Sequence, residues 1–454
     1  MAYIIRQSSR APAVTAAIDP DPSLPKVCII GAGSSGIAAA KTLYTSAIPF
    51  DCFEKGSEIG GTWLFDNPNG TSACYETLQI NTSCPRMAFS DFPMPEHYPH
   101  YASHDQVFAY FRDYVEHFGF GHTITFNTEA TDVRPGRRGG WDVDIVSESG
   151  FETRHYDYVM VANGHHWDAR WPDPAYPGHF DGDQIHAHDY RSGDQLDGRD
   201  VVVVGAGNSA MDIAVEGSYR ARSVDLSIRR GQWVMKKTVL GMAADQIILP
   251  GWAPWCMTSA RLRLGALLSG RLRKYGLPTP SHKPGQSHPV QSDTIRKRLK
   301  AEAITVRPGI ERLESDRVVF TDGTASPADL IVWATGYRVS FPFLSSSVVD
   351  VENNDLPLWK RMVHPDHPGL LFIGLLQPVG AVMPLSEIQA KLAAKVILGH
   401  CELPSRRDMF AQMAKDDRRN KKQFYSSPRH TMEVDFDHYL WEMEREMRRG
   451  AVAA

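Results

Sequence analysis

The sequence contains few cysteines and lacks the marks of a secreted or membrane-spanning protein. Six cysteines occur in 454 residues, and no two have the CxxC spacing of a dithiol reductase. Scattered single thiols fit a reducing compartment, so we expect a cytoplasmic protein. The N-terminal residues lack the apolar core of a secretory signal, and no apolar run is long enough to cross a bilayer. We therefore expect no membrane span.

The sequence also has no excess of one charge. Lys and Arg together number 49, against 53 for Asp and Glu, which argues against nucleic acid as a partner. With 42% hydrophobic residues, the chain is long enough for two or three globular domains. We therefore expect small-molecule partners, and we predict no metal site.

Glycine, in contrast, recurs in a defined pattern at two places. The first follows the apolar run VCII, which predicts a buried parallel strand, and precedes a helical stretch. Its GxGxxG spacing permits a tight turn, close approach of a pyrophosphate and packing of the helix on the strand. The next strand ends in an acid that can accept hydrogen bonds from ribose hydroxyls. The predicted site residues are Gly31, Ala32, Gly33, Ser34, Ser35, Gly36, Glu54 and Lys55.

The second glycine-rich turn follows the run VVVV and has alanine in its third place, which also allows close packing. After the next strand the chain has serine and arginine instead of an acid. A guanidinium suits the 2′-phosphate of NADPH, although solvated charges at a strand end are the alternative. The predicted site residues are Gly205, Gly207, Asn208, Ser209, Ala210, Ser227, Arg229 and Arg230.

Two dinucleotide sites with opposite ribose signatures imply one tightly held FAD and one exchanging NADPH that delivers hydride to it. The predicted fold class is α/β, with two Rossmann-like dinucleotide-binding domains. The NADPH-binding domain, residues 169–325, is inserted in an FAD-binding domain formed by residues 26–168 and 326–454, after a flexible leader at 1–25. A further apolar run ends at Thr335 and Gly336, beside a ligand or at a crossing between the domains. We predict that both residues bind a cofactor.

Two other stretches have a recognisable pattern. Residues 123–146 are rich in strand formers around the turn PGRRGG, which predicts a meander packed on the FAD-binding domain. Residues 252–300 are basic and irregular. We interpret them as a solvated helix face that covers the domain junction, and docking on a membrane or an acidic partner is the alternative.

Four segments together resemble a known family. They are FEKGSEIGGTW at 53–63, NTSCPRMAFSDFP at 81–93, FDGDQIHAHDY at 180–190 and WATGY at 333–337. From Lys26 to His400 the chain resembles the flavin-containing monooxygenases that oxygenate amines and sulfides. The third segment fits their fingerprint FxGxxxHxxxY, which ends in Trp in the related Baeyer–Villiger monooxygenases and in Tyr190 here.

The resemblance implies an FAD enzyme that uses NADPH and O2 to insert one oxygen atom into amines, sulfides or indole through a hydroperoxyflavin. Baeyer–Villiger oxygenation of ketones is the alternative reaction. An NADPH oxidase or a non-catalytic nucleotide sensor is the alternative of another class. The sequence does not determine the oligomeric state, and a homodimer stays open.

The resemblance also carries residue roles. Asn81 corresponds to the active-site asparagine of the family, and a neutral amide can donate and accept hydrogen bonds without titrating. His186 has no identifiable partner, so we interpret it as structural. The remaining cofactor-binding residues implied by the resemblance are Gly61, Thr62, Trp63, Thr82 and Gln377.

Overall fold

The fold is built on two sheets, one mainly and one entirely parallel, each covered by helices on one face and by a small antiparallel sheet on the other. A computed structural model of the chain describes residues 10–239, 241–246, 250–253, 255–270, 272–351, 356–424 and 432–452. Within these ranges the α-helices are α1 (Ser34–Thr45), α2 (Cys84–Met87), α3 (His104–Phe118), α4 (Asn208–Arg220), α5 (Trp255–Ser269), α6 (Ile295–Lys300), α7 (Met383–Ile397), α8 (Arg406–Gln423) and α9 (Phe436–Arg449).

The strands follow in chain order. The first part of the chain contains β1 (Val27–Ile30), β2 (Phe50–Phe53), β3 (Ile124–Thr125), β4 (Glu129–Pro135), β5 (Trp141–Ser147), β6 (Gly150–Tyr156), β7 (Tyr158–Val161), β8 (Asp168–Ala169), β9 (Asp183–His186), β10 (Asp200–Val204) and β11 (Ser223–Ser227). The second part contains β12 (Val234–Met235), β13 (Thr238–Val239), β14 (Met242–Ala243), β15 (Val290–Gln291), β16 (Thr305–Arg307), β17 (Ile310–Glu314), β18 (Arg317–Phe320), β19 (Ala325–Pro327), β20 (Leu330–Trp333), β21 (Tyr337–Arg338), β22 (Val363–His364), β23 (His367–Phe372), β24 (Gln377–Val379) and β25 (Glu433–Asp435).

The first sheet has the strand order β22-β23-β7-β1-β2-β3, and β1 lies parallel to both β2 and β7. Strand β1 is buried on both faces, as its unbroken apolar run predicts. Val27 and Ile29 belong to the core that includes α1 and α7, whereas Cys28 and Ile30 pack with the antiparallel sheet β4-β5-β6. The predicted meander is therefore confirmed, and it extends to Tyr156.

The second sheet repeats this plan. Its order is β16-β11-β10-β20-β9, and every pairing in it is parallel. Val201 and Val203 face the core that contains α4, whereas Val202 and Val204 pack with the antiparallel sheet β17-β18-β19. The predicted α/β class with two Rossmann-like units is confirmed.

One part of the predicted domain division is wrong. The prediction places strand β20 in the FAD-binding domain, but this strand pairs with β10 inside the second sheet. The physical reason is that LIVW is a fully buried apolar run, which fits the centre of either parallel sheet equally well. The return to the first domain therefore comes after Trp333, and the other predicted boundaries stay predictions.

Short antiparallel strands mark the crossing between the two sheets. Strands β8 and β21 pair there, and the Arg170 N–H donates to the carbonyl of Gly336 at 2.9 Å. Gly336 has φ +90°, a conformation that favours glycine. Thr335 and Gly336 therefore lie at the crossing, and their contact with a cofactor stays a prediction.

The predicted leader makes contacts that the sequence did not predict. Residues 1–9 lie outside the described residues, and residues 10–25 form neither helix nor strand. The Val14 N–H donates to the carbonyl of His117 at 3.1 Å, and the Ile18 N–H donates to the Tyr44 hydroxyl at 3.0 Å. These bonds place the described part of the leader against α1 and α3.

Helix α5 lies in the predicted basic stretch, of which residues 254 and 271 are outside the described residues. Its outer face exposes Leu264, Leu267 and Leu268 in addition to charged side chains. None of the helices in the described ranges combines the length and the apolar character that crossing a bilayer requires.

Candidate active site between two dinucleotide turns

The two glycine-rich turns share one backbone plan. The Gly31 N–H donates to the carbonyl of Phe53 at 2.8 Å, and the Gly205 N–H donates to the carbonyl of Ser227 at 3.1 Å. In each case the first glycine of the motif is therefore tied to the end of the neighbouring strand. Both glycines have positive φ values, +100° and +149°. A side chain at either position would be strained.

Close backbone packing adds a second reason for glycine at these places. A Cβ atom on Gly31 would lie 2.8 Å from the carbonyl oxygen of Ala162, and one on Gly205 would lie 2.4 Å from that of Ala334. A Cβ atom on Gly36 would lie only 1.8 Å from the carbonyl oxygen of Gly31. The equivalent place in the second turn is Ala210, which is fully buried.

The helices after both turns begin without a side-chain cap. Their N-caps are Gly33 and Gly207, and neither helix has an acidic residue in its first turn. The first turns of α1 and α4 therefore have neither a side-chain cap nor an acidic residue that would occupy the positive end of the helix dipole. Such helix N-termini bind phosphate, so both turns fit the pyrophosphate of a dinucleotide.

Glu54 lies at the first turn, as predicted. It is 5% exposed, and its carboxylate accepts hydrogen bonds from the N–H groups of Ala32 and Gly56, each at 2.7 Å. Burial raises the pKa of Glu54, and these bonds together with one from Asn69 offset part of that rise. The acid is thereby fixed beside the turn, where a ribose would contact it.

Three further predicted residues lie against the first turn. Gly61, Thr62 and Trp63 form a 3₁₀ turn, and a Cβ atom on Gly61 would lie 3.1 Å from the Cα atom of Gly33. Glycine at both places permits this close approach of the two backbones.

The sequence analysis missed a contact on the other side of this turn. The hydroxyl of Ser35 lies 2.9 Å from that of Ser386 on α7. Gly374, which comes after β23, has φ +78°, and a Cβ atom on it would lie 2.0 Å from the Ser35 hydroxyl oxygen. The sequence feature that could have indicated this contact is a glycine shortly after a buried strand, as at the other strand ends.

In the second turn, side chains connect the predicted residues to neighbouring segments. The Asn208 Oδ1 atom accepts a hydrogen bond from the Gln291 N–H at 3.0 Å. The Ser227 hydroxyl donates to the carbonyl of Pro308 at 2.7 Å, so its single proton is already used. A contact from this hydroxyl to a phosphate requires that bond to break, and the role of Ser227 stays a prediction.

A cleft of about 550 Å³ opens beside the end of β11. Arg229, Arg307 and Gly309 are among its lining residues. Arg307 pairs with Asp225 at 2.6 Å, whereas Arg229 is exposed at the mouth, next to the exposed Arg230. The cleft has the size of a small-molecule site, and its cationic edge fits an adenosine phosphate.

Asn81 lies in a segment that is hydrogen-bonded to two different parts of the chain. The Ile80 N–H donates to the carbonyl of Ala102 at 3.0 Å, and the Lys237 ammonium donates to the carbonyl of Ile80 at 3.3 Å. Within the described residues the Oδ1 atom of Asn81 is buried and has no hydrogen-bond partner. A buried amide oxygen without a donor is costly, so this atom fits a donor on a bound ligand. Thr82 is half-buried beside it.

Three other predicted residues have different surroundings. Lys55 points outward, is 49% exposed and pairs with Glu129 at 2.9 Å. The Thr335 hydroxyl donates to the carbonyl of Arg170 at the crossing. Gln377 begins β24, which pairs with β25, and its N–H donates to the carbonyl of Met432 at 2.9 Å. None of these bonds is made to a residue of either turn, and the cofactor contacts of the three residues stay predictions.

The aromatic residues and the histidine of the fingerprint are buried. A Cβ atom on Gly182 would lie 2.6 Å from the Phe180 ring, so a residue larger than glycine does not fit at position 182. His186 is fully buried, its Nδ1 atom accepts the His188 N–H at 3.0 Å, and burial lowers its pKa to about 4. Tyr190 is also fully buried. These contacts support a structural role for His186.

Comparison with known proteins agrees with this geometry. The family model described as flavin-binding monooxygenase-like matches residues 25–449. Flavin-containing monooxygenase 5 of Oryctolagus cuniculus is 35% identical over 430 residues, which cover 90% of this chain and 80% of the relative. Dimethylaniline monooxygenase (N-oxide-forming) 2 of Rattus norvegicus is 35% identical over 452 residues, with 93% and 82% covered.

Solved structures agree at the level of the fold. The S-allyl-L-cysteine S-oxygenase of Allium sativum superposes with a TM-score of 0.71 at 24% identity, over 94% of this chain and 90% of the other. The extent of the sequence match, from residue 25 to residue 449, decides the family. The chain therefore belongs to the flavin-binding monooxygenase-like family and is an FAD- and NADPH-dependent monooxygenase.

Proposed function

We propose that the chain oxygenates the nitrogen of amines and the sulfur of sulfides, with Asn81 at the place of oxygen transfer. The reaction consumes substrate, O2, NADPH and one proton, and it yields oxygenated substrate, water and NADP⁺. Bound FAD supplies hydride acceptance and O2 activation. The name of the relative from Rattus norvegicus refers to N-oxide formation and that of the Allium sativum structure to S-oxygenation, which supports this substrate range.

The observation that carries the proposal is the buried Oδ1 atom of Asn81, which has no hydrogen-bond partner within the described residues. Its amide nitrogen can donate to a bound oxygen species while Oδ1 accepts from ribose or nicotinamide. The amide does not titrate, so it keeps both roles across the working pH range. Burial of the Oδ1 atom limits the access of water to it, which favours oxygen transfer over release of hydrogen peroxide.

The test is Asn81→Leu, which keeps the size of the side chain and removes its polar atoms. We expect this variant to retain FAD and to oxidise NADPH, while hydrogen peroxide replaces oxygenated product. The measurement is product by mass spectrometry and peroxide by assay, both per NADPH consumed. An unchanged yield of product per NADPH would reject the role of Asn81.

A substrate panel tests the reaction class. Tertiary amines, thioethers, indole and cyclic ketones are incubated with NADPH and O2, and the products are analysed by mass spectrometry. N-oxides and S-oxides are expected. Esters from ketones with no product from amines would establish the Baeyer–Villiger alternative instead. Peroxide with every compound would establish an NADPH oxidase.

Cellular location and assembly are also part of the proposal. All six cysteines are free thiols, which supports the predicted cytoplasmic location. Small-molecule substrates and O2 are the expected partners. The homodimer stays a prediction, for which sedimentation of the purified protein is the measurement.

A further inference from the structure

The segment that carries Asn81, which we call the bridge segment (residues 75–83), is held by side chains of the second domain. The Tyr75 hydroxyl donates to Asp212 Oδ2 at 2.7 Å, and the Thr77 hydroxyl donates to Glu216 Oε2 at 2.7 Å. Both acceptors lie on α4, the helix that begins at the second turn. The bridge segment is therefore fixed to the helix that carries the NADPH turn.

Of these two hydrogen bonds, the Tyr75–Asp212 bond is the less exposed to solvent. Tyr75 is 3% exposed, and its ring lies 5.8 Å from the ring of the fully buried Tyr190, measured between centroids. Burial raises the pKa of Asp212, and the bond from Tyr75 offsets part of that rise. The Thr77–Glu216 bond is exposed to solvent. A buried hydrogen bond to a carboxyl group fixes its partners more firmly than an exposed one.

The position of Asp212 explains what this bond can control. Asp212 comes one helical turn after Asn208, so a rigid element joins it to the amides of the second turn. Tyr75 precedes Asn81 in the bridge segment. Directly before Asn81, the carbonyl of Ile80 accepts a hydrogen bond from the Lys237 ammonium. A shift of the bridge segment relative to α4 would therefore move Asn81 relative to the NADPH turn.

We propose that the Tyr75–Asp212 hydrogen bond positions Asn81 against the NADPH turn and thereby keeps NADPH oxidation coupled to oxygen transfer. This inference rests on the proposed function. With the bond in place, NADPH, a proton, O2 and substrate give NADP⁺, water and oxygenated substrate. Without it, NADPH, a proton and O2 give NADP⁺ and hydrogen peroxide. Tyr75 and Asp212 are positioning residues, because they act through Asn81.

The test uses Tyr75→Phe, which keeps the buried ring and removes the donor. We expect its FAD content to match the wild type, its peroxide per NADPH to rise several-fold and its NADP⁺ dissociation constant to rise. Asp212→Asn keeps an acceptor for the Tyr75 hydroxyl and should stay nearer to the wild type than Asp212→Ala. The double variant Tyr75→Phe/Asp212→Ala should be no worse than the worse single variant.

The matched control is Thr77→Val, which removes the exposed bond between the same segment and the same helix. Its peroxide yield and NADP⁺ affinity should stay at wild-type values. Equal uncoupling in Thr77→Val, or wild-type coupling and NADP⁺ affinity in Tyr75→Phe, would overturn the positioning role. Lower melting temperatures in Tyr75→Phe with an unchanged ratio of product to NADPH would likewise overturn it, because that is the signature of structural support alone.

Failure of the proposed function has a different signature. In that case the wild type itself forms no oxygenated amine or sulfide from any compound tested. Calorimetric titration of NADP⁺ into the wild type and Tyr75→Phe then still decides the positioning role, because it needs no turnover. A several-fold weaker NADP⁺ affinity in Tyr75→Phe alone supports it, and equal affinity in both proteins overturns it.

Discussion

The two glycine-rich turns have the same backbone plan and different surroundings. At the first, Glu54 is buried against the turn and Gly61 closes over Gly33. At the second, Arg229 is exposed at the mouth of an open cleft. From this comparison we propose that retention or exchange of a dinucleotide depends less on the turn than on the residues after the next strand and on the segment that covers the turn. The enclosed turn suits a retained FAD, and the open one suits an exchanging NADPH.

The largest expected effect comes from Gly36→Ala in the enclosed turn. The added Cβ atom would lie 1.8 Å from the carbonyl oxygen of Gly31, so backbone must move. Overpacking of this kind lowers the free energy of unfolding by about 1 to 3 kcal/mol or more. We expect the purified variant to lose FAD and to melt at a lower temperature, measured by the ratio of flavin to protein absorbance and by thermal unfolding.

Ala210→Gly is the control at the equivalent place of the open turn. Glycine in a helix costs about 1 kcal/mol relative to alanine. We expect this variant to keep its FAD, because the change lies in the other domain. Full FAD content in Gly36→Ala, or loss of FAD in Ala210→Gly, would contradict the assignment of the two turns.

The next effect in size is expected at the open cleft. Arg229→Ala should weaken NADPH binding by about 1 to 3 kcal/mol through loss of a charge-assisted contact to the 2′-phosphate. NADH binding should stay nearly unchanged, because NADH lacks that phosphate. Dissociation constants for both nucleotides are the measurement. Equal losses for NADPH and NADH would show that Arg229 supports the fold of the cleft instead.

The sequence predicts the local parts of this comparison well. The strands around both turns and the meander are predicted from buried apolar runs and alternation, which are encoded within a few residues. The glycines and Glu54 are predicted from motif spacing for the same reason. Such features depend on neighbours in the chain, so one sequence is enough to find them.

Long-range features escape this reasoning. Strand β20 has the same apolar pattern in either sheet, and only packing selects the second one. Tyr75 and Asp212 are 137 residues apart, and neither has a local pattern that indicates the other. Lys55 comes directly after the motif acid, yet alternation along an extended chain points its side chain away from the turn.

A smaller effect is expected at the start of α4. Asn208→Ala removes the acceptor for the Gln291 N–H. Loss of this hydrogen bond should lower the free energy of unfolding by about 0.5 to 1.5 kcal/mol. We expect NADP⁺ affinity to fall by up to about tenfold with FAD content unchanged. Asn208→Asp keeps the acceptor but adds a negative charge at the phosphate-binding helix end. Titration of NADP⁺ should therefore show weaker binding for Asn208→Asp than for Asn208→Ala, and the reverse order would place the pyrophosphate elsewhere.

The smallest effect is expected for Lys55→Ala, and its value lies in the contrast with Glu54→Gln one residue earlier. Lys55 is half-exposed and pairs with Glu129. Surface ion pairs of this kind contribute at most about 1 kcal/mol to the free energy of unfolding. Glu54 is buried and accepts two backbone hydrogen bonds at the first turn. After dialysis, Lys55→Ala should keep its FAD, whereas Glu54→Gln should release part of it, because the neutral amide is a weaker acceptor for ribose and for the turn. Equal FAD loss in both variants would contradict this contrast. The Lys55–Glu129 ion pair at the surface would then also be needed to retain FAD at the first turn.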